Sequence, residues 1–250
     1  MGLQTVKSVL AENDMELVGA LDAPQNAGKD LEVLIGGTTH VIVSDNLEKV
    51  LAETKPQVMV DFTKGWIAPS NIITCLKAGC ACVVGTTGIS EEDNEKIRQV
   101  SEETGVPVLV APNFSLGAVL MMKFAAEAAK YFQWSEIIEF HHERKVDAPS
   151  GTAMKTAEMM AENGGVFLSP EGETEKVSGV RGGVYKGVRI HSVRLQGMLA
   201  HQEVNFGGLG EVLKIRHDTI TRESFMPGVM LAIRKVRELT GFVVGLEYIL

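Results

Sequence analysis

One segment of this 250-residue chain concentrates the side chains that could exchange a proton. Residues 139–153 contain His141, His142 and Lys145, followed by a Pro-Ser-Gly-Thr turn. Histidine titrates near neutral pH, and the pKa of a lysine falls when other cations lie beside it, so both can act as general acids or bases. A solvated charged loop is the ordinary explanation of any single His or Lys. With Arg144, there are four cationic or titratable groups in five positions, which favours a functional site.

The turn after these residues could bind an anion. Ser150, Gly151 and Thr152 stand at the start of a helical pattern that runs from Thr152 to Glu162. Ser or Thr is a normal N-cap there, and capping alone could explain the residue types. The first N–H groups of a helix also attract negative charge. Next to the histidines and Lys145, they predict a site for a small carboxylate.

The first half of the chain must position a second site. Strand patterns at Met15–Leu21, Val58–Phe62, Ala81–Val84 and Val106–Val110 alternate with helical patterns. This order predicts an α/β, Rossmann-like, doubly wound parallel sheet. The carboxyl ends of parallel strands meet at one edge, where such sheets bind ligands. The residues that follow these strands are therefore binding candidates: Asp22, Thr63, Gly85, Thr86, Thr87, Asn113 and Phe114.

The opening of this sheet departs from the usual pattern. A dinucleotide-binding sheet normally begins with a strand, a glycine-rich turn and a helix, whereas Met1-Gly2 is followed directly by a helical pattern. We expect the chain to start inside the first helix, without the first strand. Loss of a central strand is expected to weaken the sheet and expose its neighbours. Asp22 nevertheless ends the next strand, where this fold holds a ribose.

The second half changes character after a helical pattern at Gly117–Tyr131. Strand patterns dominate, and a single helix interrupts them, which predicts an α+β domain with an open mixed or antiparallel sheet. The strand patterns are Glu136–His142, Val188–Leu195, Ala200–Asn205 and Val212–Asp218. The helical pattern Phe225–Leu239 is expected to return to the first domain. We predict a dinucleotide-binding domain of residues 1–112 and 223–250 and a substrate-binding domain of residues 113–222, with Arg222 and Phe225 near the return as residues that could close a cleft.

Composition excludes several function classes. Apolar content of 45%, charged content of 22% and a formal net charge of −8 indicate a globular protein that binds neither nucleic acid nor an anionic membrane. No apolar run is long enough to span a bilayer, and no signal peptide is visible. Cys75, Cys80 and Cys82 form an odd cluster, which predicts buried thiols in a reducing cytoplasm rather than disulfides or a metal site.

Taken together, these motifs resemble the dihydrodipicolinate reductase family of the bacterial and plant lysine pathway. The most specific motif is HHERKVDAPSGTA at residues 141–153. Supporting motifs are VDFT at 60–63, VVGTTG at 83–88, APNFS at 111–115, and IRHD with a following R-x-S-F-M-P-G between 215 and 228. The resemblance covers nearly the whole chain except its start.

The resemblance implies an NAD(P)H-dependent reduction of a cyclic dicarboxylate, 4-hydroxy-tetrahydrodipicolinate (dihydrodipicolinate), to tetrahydrodipicolinate. Hydride passes to the substrate ring and a proton to the neighbouring carbon. His141 and Lys145 are implied to be the acid–base pair, and the substrate-carboxylate site is implied to consist of His142, Lys145, Ser150, Gly151 and Thr152. Cofactor contacts are implied for Gly85, Thr87, Ala111 and Phe114 beside the nicotinamide and for Asp22 at the adenosine ribose. The family also implies a homotetramer built through the sheet of the second domain.

Two further questions follow from the resemblance. Asp22 favours the diol of NADH and repels a 2′-phosphate, and Ala23-Pro24 supplies no arginine, so we predict NADH with a relaxed choice. Because the glycine-rich turn is missing, a non-catalytic dicarboxylate-binding or structural subunit is the alternative. Another Rossmann reductase, such as an amino-acid or semialdehyde dehydrogenase, would need a nucleophilic cysteine or another lysine arrangement, and the three cysteines lie away from the basic motif.

Overall fold

The chain folds into two compact units. The computed structural model describes residues 1–36 and 39–250. The first unit contains Met1–Phe114 together with Phe225–Leu250, and the second contains Ser115–Ser224. Each unit has its own sheet and its own hydrophobic core.

The helices and strands of the described residues alternate in the first half of the chain, and strands dominate the second. The helices are α1 (Gly2–Ala11), α2 (Leu31–Ile35), α3 (Leu47–Thr54), α4 (Ala68–Lys77), α5 (Glu91–Thr104), α6 (Leu116–Ala128), α7 (Gly151–Glu162) and α8 (Met226–Lys235). The strands are β1 (Ala20–Leu21), β2 (Val43–Ser44), β3 (Val58–Asp61), β4 (Ala81–Val84), β5 (Val108–Val110), β6 (Trp134–His141), β7 (Gly183–Tyr185), β8 (Val188–Arg194), β9 (Ala200–Gly208), β10 (Glu211–Thr219) and β11 (Phe242–Val244). No helix in these described ranges is long and apolar enough to cross a membrane.

The first unit has a Rossmann-like arrangement of parallel strands, divided into two sheets. One sheet has the order β11–β5–β4–β3, and the other pairs β1 with β2. Every one of these pairings is parallel. The predicted fold class is therefore confirmed, although β11 was not predicted. It pairs with β5 through Phe242 opposite Val108.

The predicted strand Met15–Leu21 is much shorter in the structure. Only Ala20 and Leu21 form β1, with Val43 and Ser44 of β2 opposite them. An extended segment is a strand only where a neighbour accepts its backbone hydrogen bonds. Because β2 is two residues long, it pairs with two residues of the predicted strand.

Helices cover both faces of the four-stranded sheet. On one face, α4 and α5 bury Ile72, Leu76 and Ile97 against Cys82 and Val84 of β4. The alternate residues Val83 and Leu109 are also buried, and α8 contacts β4. A doubly wound sheet needs this two-sided cover. The three cysteines are buried free thiols, as predicted.

The C-terminal helical pattern is interrupted where the sequence predicted one run from Phe225 to Leu239. A 3₁₀ turn at Arg222–Phe225 precedes α8, and a second at Val236–Glu238 follows it. Pro227 stands in the first turn of α8, where its missing N–H leaves no helical bond unmade. Gly228 follows, and a Cβ there would collide with the carbonyl oxygen of Phe114. The path of α8 therefore depends on close backbone packing.

The second unit is a mixed five-stranded sheet with helices on one face. The strand order is β10–β9–β6–β8–β7, in which β6 and β8 are parallel and the other neighbours antiparallel. Ile137, Val204 and Phe206 point toward α6 and α7 and are fully buried. Residues that alternate with them, among them Ile138 and Phe140, form the opposite side, which we name the open sheet face. This arrangement confirms the predicted α+β class.

Candidate active site

A chain of charged side chains lies at the end of β6. The carboxylate of Glu139 is fully buried and accepts hydrogen bonds from Nδ1 of His141 and, at 2.8 Å, from Nη2 of Arg194. Glu139 and His141 are two residues apart on one strand, so their side chains share a face. Arg194 stands opposite His141 because β6 and β8 pair in parallel. The sheet register thus brings three side chains to one corner.

These hydrogen bonds determine which nitrogen of His141 carries a proton. Burial disfavours the charged form of Glu139, but hydrogen bonds from His141, Arg194 and Ser192 outweigh burial and lower the pKa of Glu139 to about 2. An ionised carboxylate only accepts hydrogen bonds. Nδ1 of His141 therefore donates, and Nε2 is the ring nitrogen that Glu139 does not engage.

The loop between β6 and α7 is held from two sides. The ammonium of Lys145 lies 2.9 and 2.8 Å from the two carboxylate oxygens of Asp147. The hydrogen bond from Lys145 lowers the pKa of Asp147. Arg194 donates to the carbonyl oxygens of Lys145 at 3.3 Å and of Asp147 at 2.6 Å. The predicted cluster of cations therefore includes an anionic partner that the sequence analysis did not assign.

His142 and the start of α7 provide further polar groups. Nδ1 of His142 is buried and has no hydrogen-bond partner within the described part of the chain. Ser150 is the N-cap of α7, and its hydroxyl accepts from the N–H of Ala153 at 3.2 Å. Gly151 is exposed, and a Cβ there would meet nothing within 4 Å. The first N–H groups of a helix lack intrahelical partners, so this turn suits an anion. The capping role predicted for this turn is confirmed.

In the first unit, a buried aspartate organises the ends of β3 and β4. Oδ1 of Asp61 accepts from the N–H of Thr63 at 2.9 Å, from its hydroxyl at 2.7 Å and from the hydroxyl of Thr86 at 2.6 Å. Oδ2 accepts from Nδ2 of Asn71, in α4, at 3.1 Å. Asp61 is only 2% exposed. Two predicted cofactor residues, Thr63 and Thr86, are thus bound to one carboxylate.

Aromatic rings pack closely around the next predicted contact, Gly85. A Cβ at Gly85 would collide with the rings of Phe62 and Phe114, which meet edge to face with centroids 5.7 Å apart. Ala111 donates its N–H to the carbonyl of Val84 at 2.8 Å. Gly85, Ala111 and Phe114 are therefore brought together at the strand ends. Thr87 is exposed next to them in sequence, and Asn113 is half-buried.

The remaining predicted residues lie elsewhere. Asp22 follows β1, in the two-stranded sheet, and its carboxylate accepts from the N–H of Ala23 at 2.7 Å and from Nδ2 of Asn26 at 2.8 Å. Arg222 is exposed in the last 3₁₀ turn of the second unit, and Phe225 is the first residue of the C-terminal part of the first unit.

Four charged residues of these sites were not found from the sequence: Asp61, Glu139, Asp147 and Arg194. The spacing of Glu139 two positions before His141 is a usable signal on a strand. Arg194 gives no local signal, because 55 residues separate it from Glu139. Across residues 1–36 and 39–250, no group of three or more His, Cys, Asp or Glu side chains could hold a metal ion.

Comparison with known proteins finds relatives that share one family description and match the full chain. A family model described as "Dihydrodipicolinate reductase, N-terminus" matches residues 1–114, and one described as "Dihydrodipicolinate reductase, C-terminus" matches residues 117–250. A protein of Moorella thermoacetica is 50% identical over all of this chain and 94% of its own length. A protein of Listeria welshimeri is 51% identical over all of this chain and 95% of its own length. Both are named 4-hydroxy-tetrahydrodipicolinate reductase.

Solved structures agree with this result. The dipicolinate-bound dihydrodipicolinate reductase from Paenisporosarcina sp. TG-14 is 42% identical, with a TM-score of 0.88 over all of this chain and 95% of that chain. An amine dehydrogenase from Mycobacterium smegmatis has a TM-score of 0.72 at 16% identity, over 99% of this chain and 92% of that chain. At that identity the second likeness shows the fold alone.

Proposed function

Because the chain belongs to the dihydrodipicolinate reductase family, we propose that the segment from His141 to Thr152 binds the substrate carboxylates and handles the substrate proton. The chain is an enzyme that reduces 4-hydroxy-tetrahydrodipicolinate with a nicotinamide coenzyme. The alternative of a non-catalytic subunit is not favoured, since relatives of about 50% identity over the whole chain carry the reductase name. The observation that supports the assignment best is His141, held through Nδ1 by a buried carboxylate, in the same loop region as Lys145 and the start of α7.

The substrate site proposed here suits a small dicarboxylate. An ammonium has three N–H donors, and two of those of Lys145 face Asp147, which leaves one for a substrate carboxylate. The buried Nδ1 of His142 needs a partner, since buried polar atoms are seldom unpaired. The first turn of α7 adds backbone donors. Dipicolinate, which the Paenisporosarcina relative binds, has this dianionic character.

The proposed proton step uses Nε2 of His141. Glu139 is ionised at neutral pH and stabilises the imidazole when its second nitrogen is protonated. Once the substrate's 4-hydroxyl has left as water, Nε2 can donate a proton to the carbon beside the one that is reduced. Lys145 binds a carboxylate of the substrate and thereby orients the substrate ring. Such positioning can account for several orders of magnitude in rate.

The first unit has residues that fit a nicotinamide coenzyme. Such a coenzyme, when bound, supplies the hydride. A carboxylate offers about four lone-pair sites, and Asp22 uses two on its own turn, so it can also accept from ribose hydroxyls. Gly85 lets the rings of Phe62 and Phe114 pack against its backbone, beside exposed Thr87. We infer a preference for NADH, because Asp22 would repel a 2′-phosphate.

Three further proposals concern the setting of the enzyme. The resemblance places the reaction in lysine biosynthesis. Three buried free thiols suit a reducing, cytoplasmic compartment. The open sheet face, with Ile138, Phe140 and the guanidinium of Arg216 stacked 5.5 Å from the Phe140 ring centroid, is the surface through which we expect a homotetramer to form.

The role assignment is tested by H141A and K145A. Each should lower kcat by about 10²–10⁴-fold if the side chain transfers or positions the proton. Turnover is measured with the purified enzyme by loss of NADH absorbance, and coenzyme affinity by NADH fluorescence. The exposed His40 provides the control, and H40A should match the wild type. Should turnover persist in H141A while coenzyme affinity drops, the assignment is wrong.

A further inference from the structure

One guanidinium contacts both parts of the proposed proton-transfer site. Nη2 of Arg194 lies 2.8 Å from Glu139 and 2.6 Å from the carbonyl oxygen of Asp147. Nε lies 3.3 Å from the carbonyl oxygen of Lys145. We propose that Arg194 is a positioning residue that holds His141, through Glu139, and the Lys145 loop in one arrangement. This inference rests on the proposed function of the two residues.

The charge of Glu139 requires a partner such as Arg194. Glu139 is fully buried, and removal of one partner from a buried charged group is strongly destabilising. His141 cannot neutralise it alone throughout a cycle in which the imidazole gives up a proton. A guanidinium carries a fixed positive charge in proteins. It therefore keeps the carboxylate ionised and accepting while His141 changes its charge.

The shape of the side chain explains why arginine stands at this position. A guanidinium presents five N–H donors in a flat fork, so it can reach a carboxylate and two carbonyl oxygens at once. Nη1 of Arg194 also donates to the carbonyl of Val193 at 2.8 Å, which fixes the plane of the fork. A lysine ammonium is a point charge on a flexible stem and cannot reproduce this set. His141 and Lys145 should therefore lose their positions together when Arg194 is replaced.

The test compares R194M and R194K with a matched control on the same strand. Arg189 also donates to a carbonyl, that of Arg181 at 3.0 Å, and to a carboxylate, that of Glu173 at 3.1 Å. R194M should lower kcat by about 10²-fold, as expected for small displacements of reacting groups, with the KM for the coenzyme unchanged. R194K should recover only part of the loss, and R189K should match the wild type.

A second measurement reads the position of His141 without turnover. Nitrogen-15 NMR of the ligand-free protein should show His141 protonated on Nδ1 in the wild type and in R189K, and a changed tautomer in R194M. The inference is overturned if either kcat or the His141 signal of R194M equals that of the wild type. If R194M does not fold, R194K carries both measurements. An inactive wild type would refute the proposed function, whereas the His141 signal would still report on Arg194.

Discussion

At the scale of single residues, burial determines which ion pairs of the candidate site are strong and which can be replaced by another anion. Breaking a buried pair by removing one partner costs about 3–5 kcal/mol, whereas an exposed pair contributes about 0.2–1 kcal/mol. Glu139 is fully buried and bonded to the half-buried side chains of His141 and Arg194, so breaking this group is costly. Asp147 is 58% exposed, so its pair with Lys145 is weak. In the proposed substrate site, a carboxylate of the substrate can therefore displace Asp147 from Lys145 without disturbing Glu139.

The depressed pKa of Glu139 predicts a pH dependence of stability. Its folded-state pKa of about 2 lies below its ordinary value of 4.5, so ionised Glu139 stabilises the fold above about pH 4.5. That contribution is lost as pH falls from about 4.5 through about 2. In E139Q, the unfolding free energy should change less between pH 5 and pH 3 than in the wild type, as measured by urea titration. The exposed Glu211 supplies the control E211Q, and equal losses in the wild type and E139Q would contradict the prediction.

Asp22 offers a test of coenzyme choice. Its exposed carboxylate should accept the ribose diol of NADH and repel the phosphate of NADPH. In D22N, the ratio of kcat/KM for NADH to that for NADPH should therefore fall. Asp45, which follows the neighbouring strand β2 and is also exposed, supplies the control D45N, with the wild-type ratio. A preference that stays the same in D22N would refute the role of this carboxylate.

Residues within one contiguous motif could be predicted from the sequence, and their long-range partners could not. His141, Lys145 and Ser150 fall in a single run whose residue types indicate acid–base and anion-binding chemistry. Arg194 reaches them through the parallel pairing of β6 and β8. The sequence predicted both strands but not that they are neighbours. The pairing of Lys145 with Asp147 is local, yet a loop has no periodicity from which its side-chain contacts follow.

At the scale of secondary structure, register determines which polar ends meet. Parallel pairing of β3 and β4 places Asp61 opposite Val84, so the loop after β4 begins beside the carboxylate. Thr63 and Thr86, from two different strand ends, then bind the same oxygen. The buried carboxylate of Asp61 therefore positions both the loop after β3 and the loop after β4, which the proposal assigns to the coenzyme.

Replacement of Thr86 tests this arrangement. T86V removes the hydroxyl that donates to Asp61 at 2.6 Å while it keeps the side-chain volume. Loss of a hydrogen bond to a charged group should lower the unfolding free energy by about 1.5–3 kcal/mol. The KM for the coenzyme should rise more than kcat falls, because the loop rather than the substrate site is disturbed. T86S retains the hydroxyl and should keep the wild-type KM for the coenzyme. A wild-type KM in T86V would show that the loop after β4 does not contribute to the coenzyme site.

The sequence predicted the class of each element better than its length. The helical pattern of α7 was found nearly to the residue, because its apolar spacing and its Ser150 cap are local. β1 depends on the two residues of β2 and so is short. β11 has three residues and becomes a strand only through β5. Where an element exists because of a distant partner, the local pattern carries too little information.

At the scale of the whole molecule, net charge and local charge act in opposite directions. The formal net charge is −8, which repels a dianionic substrate at a distance. At physiological ionic strength that repulsion is screened beyond about 8 Å. The proposed site places Lys145, His141, His142 and the helix end within contact distance of the substrate, where screening is weak. Under this proposal the local cations determine substrate binding, and the acidic surface discourages polyanions.

The proposed homotetramer can be tested on the open sheet face. Val212 of β10 is 65% exposed in the single chain, so V212D should leave the fold of one chain intact. Burial of an unpaired carboxylate between subunits is costly, so assembly should fail. Sedimentation velocity should then give the monomer or dimer mass for V212D and the tetramer mass for the wild type. Val33, 82% exposed in α2 of the first unit, supplies the control V33D, which should remain tetrameric. If V212D still forms a tetramer, the interface does not lie on the open sheet face, because a carboxylate cannot be buried there without a compensating partner.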